Sequence, residues 1–202
     1  NLQYISTKLK TSFNINTKYP QFHVDAPSLL HIAVQSDDYK MVRFLLSYDH
    51  ININATDSCN ATPVMYAIKN NAYKSLSLLL QHDKILLHNT DRYGCSPLYI
   101  SARSGFEKCL KILLTEKNNN IFTPNNEIVN NTQQVLKQSS LIYITAKHSH
   151  PQCLKFLLNY YSEIKNTDRF EQQKMNIEPN EPYHLNGLTP LNISIYSGNT
   201  KC

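Results

Sequence analysis

A short pattern recurs down this chain, and a recurring supersecondary unit restricts the fold more than any composition can. Ser28-Leu29-Leu30-His31-Ile32 returns as Thr62-Pro63-Val64-Met65-Tyr66, Ser96-Pro97-Leu98-Tyr99-Ile100, Ser140-Leu141-Ile142-Tyr143-Ile144 and Thr189-Pro190-Leu191-Asn192-Ile193. Each copy is a hydroxyl residue, often followed by Pro, that leads into apolar periodicity. Small residues follow (Ala33, Ala67, Ala102, Ala146), and then a second apolar run: Phe44-Leu45-Leu46, Leu78-Leu79-Leu80, Ile112-Leu113-Leu114 and Phe156-Leu157-Leu158. The starts lie 34, 34, 44 and 49 residues apart, one supersecondary unit plus insertions. Such a chain stacks along one axis as a solenoid, so its 202 residues say little about domain number.

Inside a unit the hydroxyl caps an incoming helix, and Pro fits the first turn, where its missing N–H costs nothing. Asp37, Asn71, Gly105, Ser149 and Gly198 share one repeat position. Gly, Asn and Asp tolerate left-handed backbone, which puts a tight helix-helix turn there, with Ser149 the poor fit. Second helices are predicted over 38–47, 72–81, 106–116 and 150–160, with Leu, Ile and Phe on one face and Lys40, Arg43, Lys74, Lys111 and Lys155 toward water. Asn52-Ile53-Asn54-Ala55-Thr56-Asp57, Leu87-His88-Asn89-Thr90-Asp91 and Ile164-Lys165-Asn166-Thr167-Asp168 join the helix pairs. Each is an extended segment running into a turn-forming Asp, with Gly94 or Gly187 before the next cap, and this reads as a hairpin finger.

The units therefore run over 26–60, 61–94, 95–138, 139–187 and a truncated 188–202, with 1–25 the end of a preceding one. The longer spacings leave polar, aperiodic insertions at 118–138 and 171–186, read as mobile finger extensions. Apolar faces at both ends make the chain read as part of a longer array that is only marginally stable alone.

Composition narrows the partners. Net charge is +5 with 17% charged residues, but Lys and Arg are dispersed, whereas a nucleic-acid footprint needs clustering. Cys59, Cys95, Cys109, Cys153 and Cys202 are odd in number and follow the repeat, a packing pattern suited to a reducing compartment. No window approaches the roughly 18 apolar residues of a membrane span, and the first residues carry no signal-peptide pattern.

The chemistry-bearing residues are few. No Gly-x-Ser-x-Gly elbow, Gly-rich phosphate loop or His-Glu-x-x-His helix exists, so no enzyme activity, catalytic residue or cofactor is expected. His148, His150 and Cys153 are ligand types at close spacing, but the histidines flank a turn, Cys153 falls on the core stripe and no fourth ligand is evident, so no metal site is expected. Lys69, Arg103 and Lys147 fall at one repeat position and would align as a basic column, either a solvated face or a groove for an acidic peptide or polyanion. Cys95 stands just before a helix N-terminus with Arg92 nearby. Dipole and cation would lower its pKa, which makes it the candidate reactive thiol against the alternative of an ordinary one.

Together these residues resemble the ankyrin repeat, whose pattern is a T-P-L-H helix, a Gly-containing turn, a V-x-x-L-L helix and a V-N-x-x-D-x-x-G finger. Leu9 and Phe13-Asn14-Ile15-Asn16-Thr17 look like the end of an earlier unit. The signature His survives only at His31, being replaced by Met65, Tyr99, Tyr143 and Asn192, and the chain has only 4 Gly. The resemblance implies an all-α solenoid of helix-turn-helix units with hairpin fingers that binds other proteins. Over residues 28–115 the irregularities look like consecutive repeats in the cytosolic N-terminal array of ankyrin-type transient receptor potential (TRPA-like) cation channels. Among them are the lengthened run through Tyr48-Asp49-His50, the Asn70-Asn71 pair and Tyr93-Gly94-Cys95-Ser96-Pro97. That likeness implies a tetrameric non-selective cation channel, with this segment in its gating-coupling arm at the cytoplasmic face of the plasma membrane. Its partners would be protein segments of the same chain or of neighbouring subunits, with no nucleic acid and no membrane contact by the segment itself. The alternative is a soluble cytoplasmic ankyrin scaffold or adaptor.

Overall fold

The computed structural model describes residues 15–18, 27–115, 141–164 and 189–196. The expected insertions, Ser140, Gly187, Gly198 and Cys202 lie outside the described residues. First helices are α1 (Leu29–Gln35), α3 (Pro63–Lys69), α5 (Pro97–Ser104), α7 (Leu141–Lys147) and α9 (Pro190–Tyr196). Second helices are α2 (Tyr39–Leu46), α4 (Tyr73–Leu80), α6 (Glu107–Thr115) and α8 (Pro151–Ile164). The first helices α1, α3, α5 and α7 each touch the next first helix and their own partner, and successive second helices also touch, so two helical layers run along the stack.

The capping residues act as the sequence implies. Thr62 Oγ1 accepts from the Met65 N–H at 3.5 Å, Ser96 Oγ from Tyr99 at 3.2 Å and Thr189 Oγ1 from Asn192 at 3.3 Å, with Pro63 and Pro97 in the first turn of α3 and α5. The helix-helix turn falls where expected: φ is +51° at Asp37, +52° at Asn71, +71° at Gly105 and +60° at Ser149. Ser149, the poor fit, is held left-handed all the same, between α7 and α8.

Three second helices end within a residue of their predicted bounds, whereas α8 continues to Ile164. No Gly or Pro interrupts Asn159-Tyr160-Tyr161-Ser162-Glu163, and Tyr160 is buried, so the apolar stripe extends by another turn. Its hydroxyl donates to the Leu114 carbonyl at 3.2 Å, which satisfies an acceptor at the end of α6. The core runs between the layers through Leu30, Val34, Val42, Val64, Met65, Ile68, Leu76, Leu79, Leu110, Leu113, Ile142 and Leu157, all essentially inaccessible. Each such side chain contributes about 1.5–3 kcal/mol relative to exposure.

Fingers form as hydrogen-bonded turns; among the described residues the only ladder-type pairing is an isolated bridge between Lys18 and Ser28. Asp57 Oδ1 accepts from the N–H groups of Cys59 and Ala61, both at 2.8 Å, and Asp91 Oδ1 does the same for Tyr93 and Cys95 at 3.0 Å. Asn60 (φ +58°) takes the left-handed place that Gly94 (φ +76°) holds one unit later.

Candidate functional site

Consecutive first helices carry Lys69, Arg103 and Lys147 in their last turns, each of them exposed. Because α3, α5 and α7 stack in order, the repeat brings these cations into neighbouring positions. The charges are not equivalent, however. Lys69 Nζ lies 3.6 Å from Asp91 Oδ2 in the next finger, so its charge is already partly answered. Among the described residues no carboxylate pairs with Arg103 or Lys147.

Two histidines stand between the unpaired cations. His148 and His150 stack with ring centroids 6.4 Å apart and planes within 17°. His150 Nε2 meets the Arg103 carbonyl at 2.7 Å and must be the donor there. His148 titrates below its ordinary value because it is partly desolvated, and then because Arg103, Lys147 and His150 oppose a further positive charge. The histidines thus take positions in the turn, packed against the preceding unit. Cys153 is fully buried and takes no part in a ligand cluster; among the described residues no group of three His, Cys, Asp or Glu could hold a metal.

Cys95 departs from expectation. It is buried, and desolvation followed by the Asp91 carboxylate pushes its thiol up to about 11. Arg103 and Lys69 do pull the other way, but more weakly. Arg92, the cation counted on from the sequence, folds onto its neighbour instead, donating from Nη2 to the Tyr93 hydroxyl at 2.9 Å with the guanidinium 4.9 Å from the ring centroid. Cys109 and Cys153 are also pushed up to about 11, chiefly by burial. The expected lowering at Cys95 is replaced by a rise, and only Cys59 of the described thiols is not buried.

Several residues matter that the sequence did not single out. Helix α4 has Ala72 at its N-cap and no side-chain cap of its own. Asp37 of the preceding unit supplies one: its Oδ1 accepts from the Ser75 N–H at 3.2 Å and the Ser75 hydroxyl at 2.7 Å. One unit on, the Cys109 thiol donates to Asn71 Oδ1 at 3.6 Å. The fingers are tied similarly. Asn54 donates to the Lys84 carbonyl at 2.7 Å and accepts from the Leu86 N–H at 2.9 Å, while Asn16 meets His50 and Asn52 in the same way at 2.8 and 2.7 Å.

Comparison with known proteins agrees with this geometry. No curated protein matches the chain. The crystal structure of the human ASB11 ankyrin repeat domain is similar, with a TM-score of 0.61 and 18% identity over 87% of this chain and 66% of that one. At that identity the likeness concerns the fold. No helix among the described residues is long and apolar enough to cross a membrane. The family model for ankyrin repeats (3 copies) matches residues 8–86 and 30–125, more than half of the sequence. With that match added to the stacked helix pairs, left-handed turns and Asp-centred fingers, the chain belongs to the ankyrin-repeat family.

Proposed function

We propose that the chain is a non-catalytic protein-interaction scaffold whose first-helix face receives an acidic segment of a partner protein at Arg103 and Lys147, with Lys69 at the edge. The observation that carries this reading is the alignment of the three cations at the ends of successive stacked helices, two of them without a carboxylate among the described residues. Desolvated pairing with a partner's carboxylates would favour that surface over the scattered lysines elsewhere. The scaffold is built of units over 26–60, 61–94, 95–138, 139–187 and 188–202, following the tail of a unit at 1–25. Titration calorimetry with a poly-glutamate peptide tests the site. Binding should weaken about tenfold in R103E/K147E and hold in K155E, since close charge pairs contribute a few kcal/mol and remote ones little. Equal affinity of the two variants would remove the site.

A finer reading places the scaffold in the cytosolic arm of a tetrameric TRPA-like cation channel. It rests on the residue resemblance over 28–115, whereas the family match and the likeness to a solved domain support the scaffold alone. The coding sequence beyond Cys202 tests it: six hydrophobic spans after further repeats support the channel arm, and their absence ends it.

A further inference from the structure

The second-helix layer carries a feature that the first-helix face does not share. A groove of about 390 Å³ opens between α2 and α4, lined by Tyr39, Arg43, Tyr73, Lys74 and Leu78 and floored by Ile112 of α6. A second hollow of about 310 Å³ lies on the other side of Tyr39 and Arg43 and reaches Lys40 and Phe44. The two share those residues, so they form one trough across α2. Its rim exposes unusually large apolar groups, with Tyr39 39% and Phe44 53% accessible.

The charge in the trough has one sign. Helices α2 and α4 contain Lys40, Arg43 and Lys74 and no Asp or Glu. The two carboxylates that immediately precede α2 are engaged: Asp38 caps α2 through the Met41 N–H at 3.1 Å, and Asp37 holds Ser75. Among the described residues no ion pair engages Lys40, Arg43 or Lys74. The repeat also fixes the rings. Lys74 Nζ sits 5.9 Å from the Tyr39 ring centroid, and Lys108 Nζ 4.5 Å from that of Tyr73, each Lys covering the aromatic of the unit before it. The pattern stops at α6, where Glu107 replaces the aromatic and meets Lys111 at 2.6 Å. At the next junction Lys111 lies 5.4 Å from the Phe156 ring centroid, but there Glu107 answers its charge, so the cations left without a carboxylate among the described residues of these helices include those of α2 and α4.

We infer that this trough docks an acidic polypeptide segment bearing an apolar or aromatic side chain, with that side chain on Tyr39, Tyr73, Leu78 and Ile112 and its flanking carboxylates on Arg43 and Lys74. The volume suits one or two large side chains, and unpaired cations beside an apolar floor match neighbouring carboxylate and apolar groups on one strand of chain. A duplex nucleic acid would want a longer run of cations spaced along its phosphates than the three on these two helices. This surface lies on the layer opposite Arg103 and Lys147, so its occupant and theirs are independent.

Fluorescence anisotropy of the intact chain tests the inference. The probes are a fluorescein-labelled decapeptide with Leu-Phe at its centre and Glu on both sides, and an equally charged peptide with Ser-Gly at its centre. The Leu-Phe peptide should bind and the Ser-Gly peptide should bind at least about tenfold more weakly, since apolar anchors at an interface centre carry most of the affinity. R43E/K74E should abolish the preference, R43Q/K74Q should weaken it, and R103E/K147E should leave it intact, with helicity by circular dichroism unchanged throughout. Absence of Leu-Phe peptide binding overturns the inference, as does equal affinity for the two peptides or indifference to both Arg43/Lys74 variants. Tighter binding of a single-stranded oligonucleotide or a phosphatidylserine vesicle through the same residues overturns the choice of partner.

Discussion

The junctions from α1–α2 to α3–α4 and from α3–α4 to α5–α6 are sewn forward, whereas the junction to the unit containing α7 and α8 is sewn backward. At the first two, a turn residue with a side chain reaches into the next second helix: Asp37 caps Ser75, and Asn71 receives the Cys109 thiol. At the third, the turn residue is Gly105 and has nothing to extend. His150 of the following unit fills the space and bonds back to the Arg103 carbonyl. At all three described junctions the turn position is thus constrained, but by different neighbours. Where the turn residue has a side chain it meets the equivalent helix position 38 residues on, and where it is Gly105 a contact from the following unit closes the junction instead.

The backward junction should be the more brittle. A Cβ on Gly105 would be strained at φ +71° and would collide with the His150 ring. Left-handed strain and overpacking together put the loss for G105A at about 3 kcal/mol. Urea unfolding followed by circular dichroism measures it, and a loss no greater than that of an exposed helix substitution would show that His150 does not depend on the glycine. At the forward junction D37A removes the borrowed cap of α4 and leaves the Ser75 N–H, fully buried, without an acceptor. It should cost about 2 kcal/mol. D37N keeps an oxygen and the tolerance of left-handed backbone, so it should recover more than half of that. Equal losses in D37A and D37N would mean that the carboxylate's charge, not the cap, holds the junction.

How these junctions are made was only half legible in the sequence. The turn position was readable because Asp37, Asn71 and Gly105 recur in register with residue types suited to positive φ, and Ser149 follows in the same register. The two-layer stack followed from the apolar stripes, which share one period along the chain. Periodicity says nothing about which side chain of one unit faces which backbone group of the next. Ala72, a poor N-cap, was the available sign that α4 borrows its cap, and Ser75 three residues on was the recipient. Asn60 could have been recognised as the counterpart of Gly94 by the left-handed tolerance of Asn. The candidate site was legible as a column of positions but not as charges, since periodicity does not show that Asp91 of the finger turns back onto Lys69 of the first helix. Cys95 misled for a similar reason: the dipole of the helix that follows is visible in the sequence, while the burial and the Asp91 carboxylate that outweigh it are not.

A gain is expected where the turn carries the wrong residue. Ser149 adopts φ +60° on an exposed turn, with neither the freedom of Gly105 nor the tolerance of Asp37 or Asn71. Relief of left-handed strain, less the added entropy of glycine in the unfolded chain, leaves S149G more stable by about 0.5 kcal/mol. A destabilised S149G would show that the serine hydroxyl holds the backward junction.

The subtlest contrast is in pH, and it belongs to the first forward junction. His31 Nδ1 accepts from the Ser28 N–H at 3.2 Å, while Nε2 meets the Ala61 carbonyl of the next finger at 3.1 Å. The neutral ring with its proton on Nε2 suits both backbone partners, while a second proton on Nδ1 would lose the Ser28 N–H and leave the Ser28 hydroxyl, 2.8 Å away, to accept it. Burial holds His31 below its ordinary 6.5, against smaller opposing contributions from the Ala61 carbonyl and Asp57. The unfolded chain therefore takes up the proton first as pH falls, so stability is fully present above 6.5 and is lost as pH drops from there through the lower folded value. His148, lowered by partial burial and then by Arg103, acts in the same direction at the backward junction. Met65 fills the equivalent buried place one unit later with no titrating group. Urea midpoints of H31M measured from about pH 7 down to about pH 5 should fall less steeply than those of the parent chain, with the residual slope left by His148. An unchanged slope would place the acid sensitivity outside the first junction and leave His31 a packing residue like Met65.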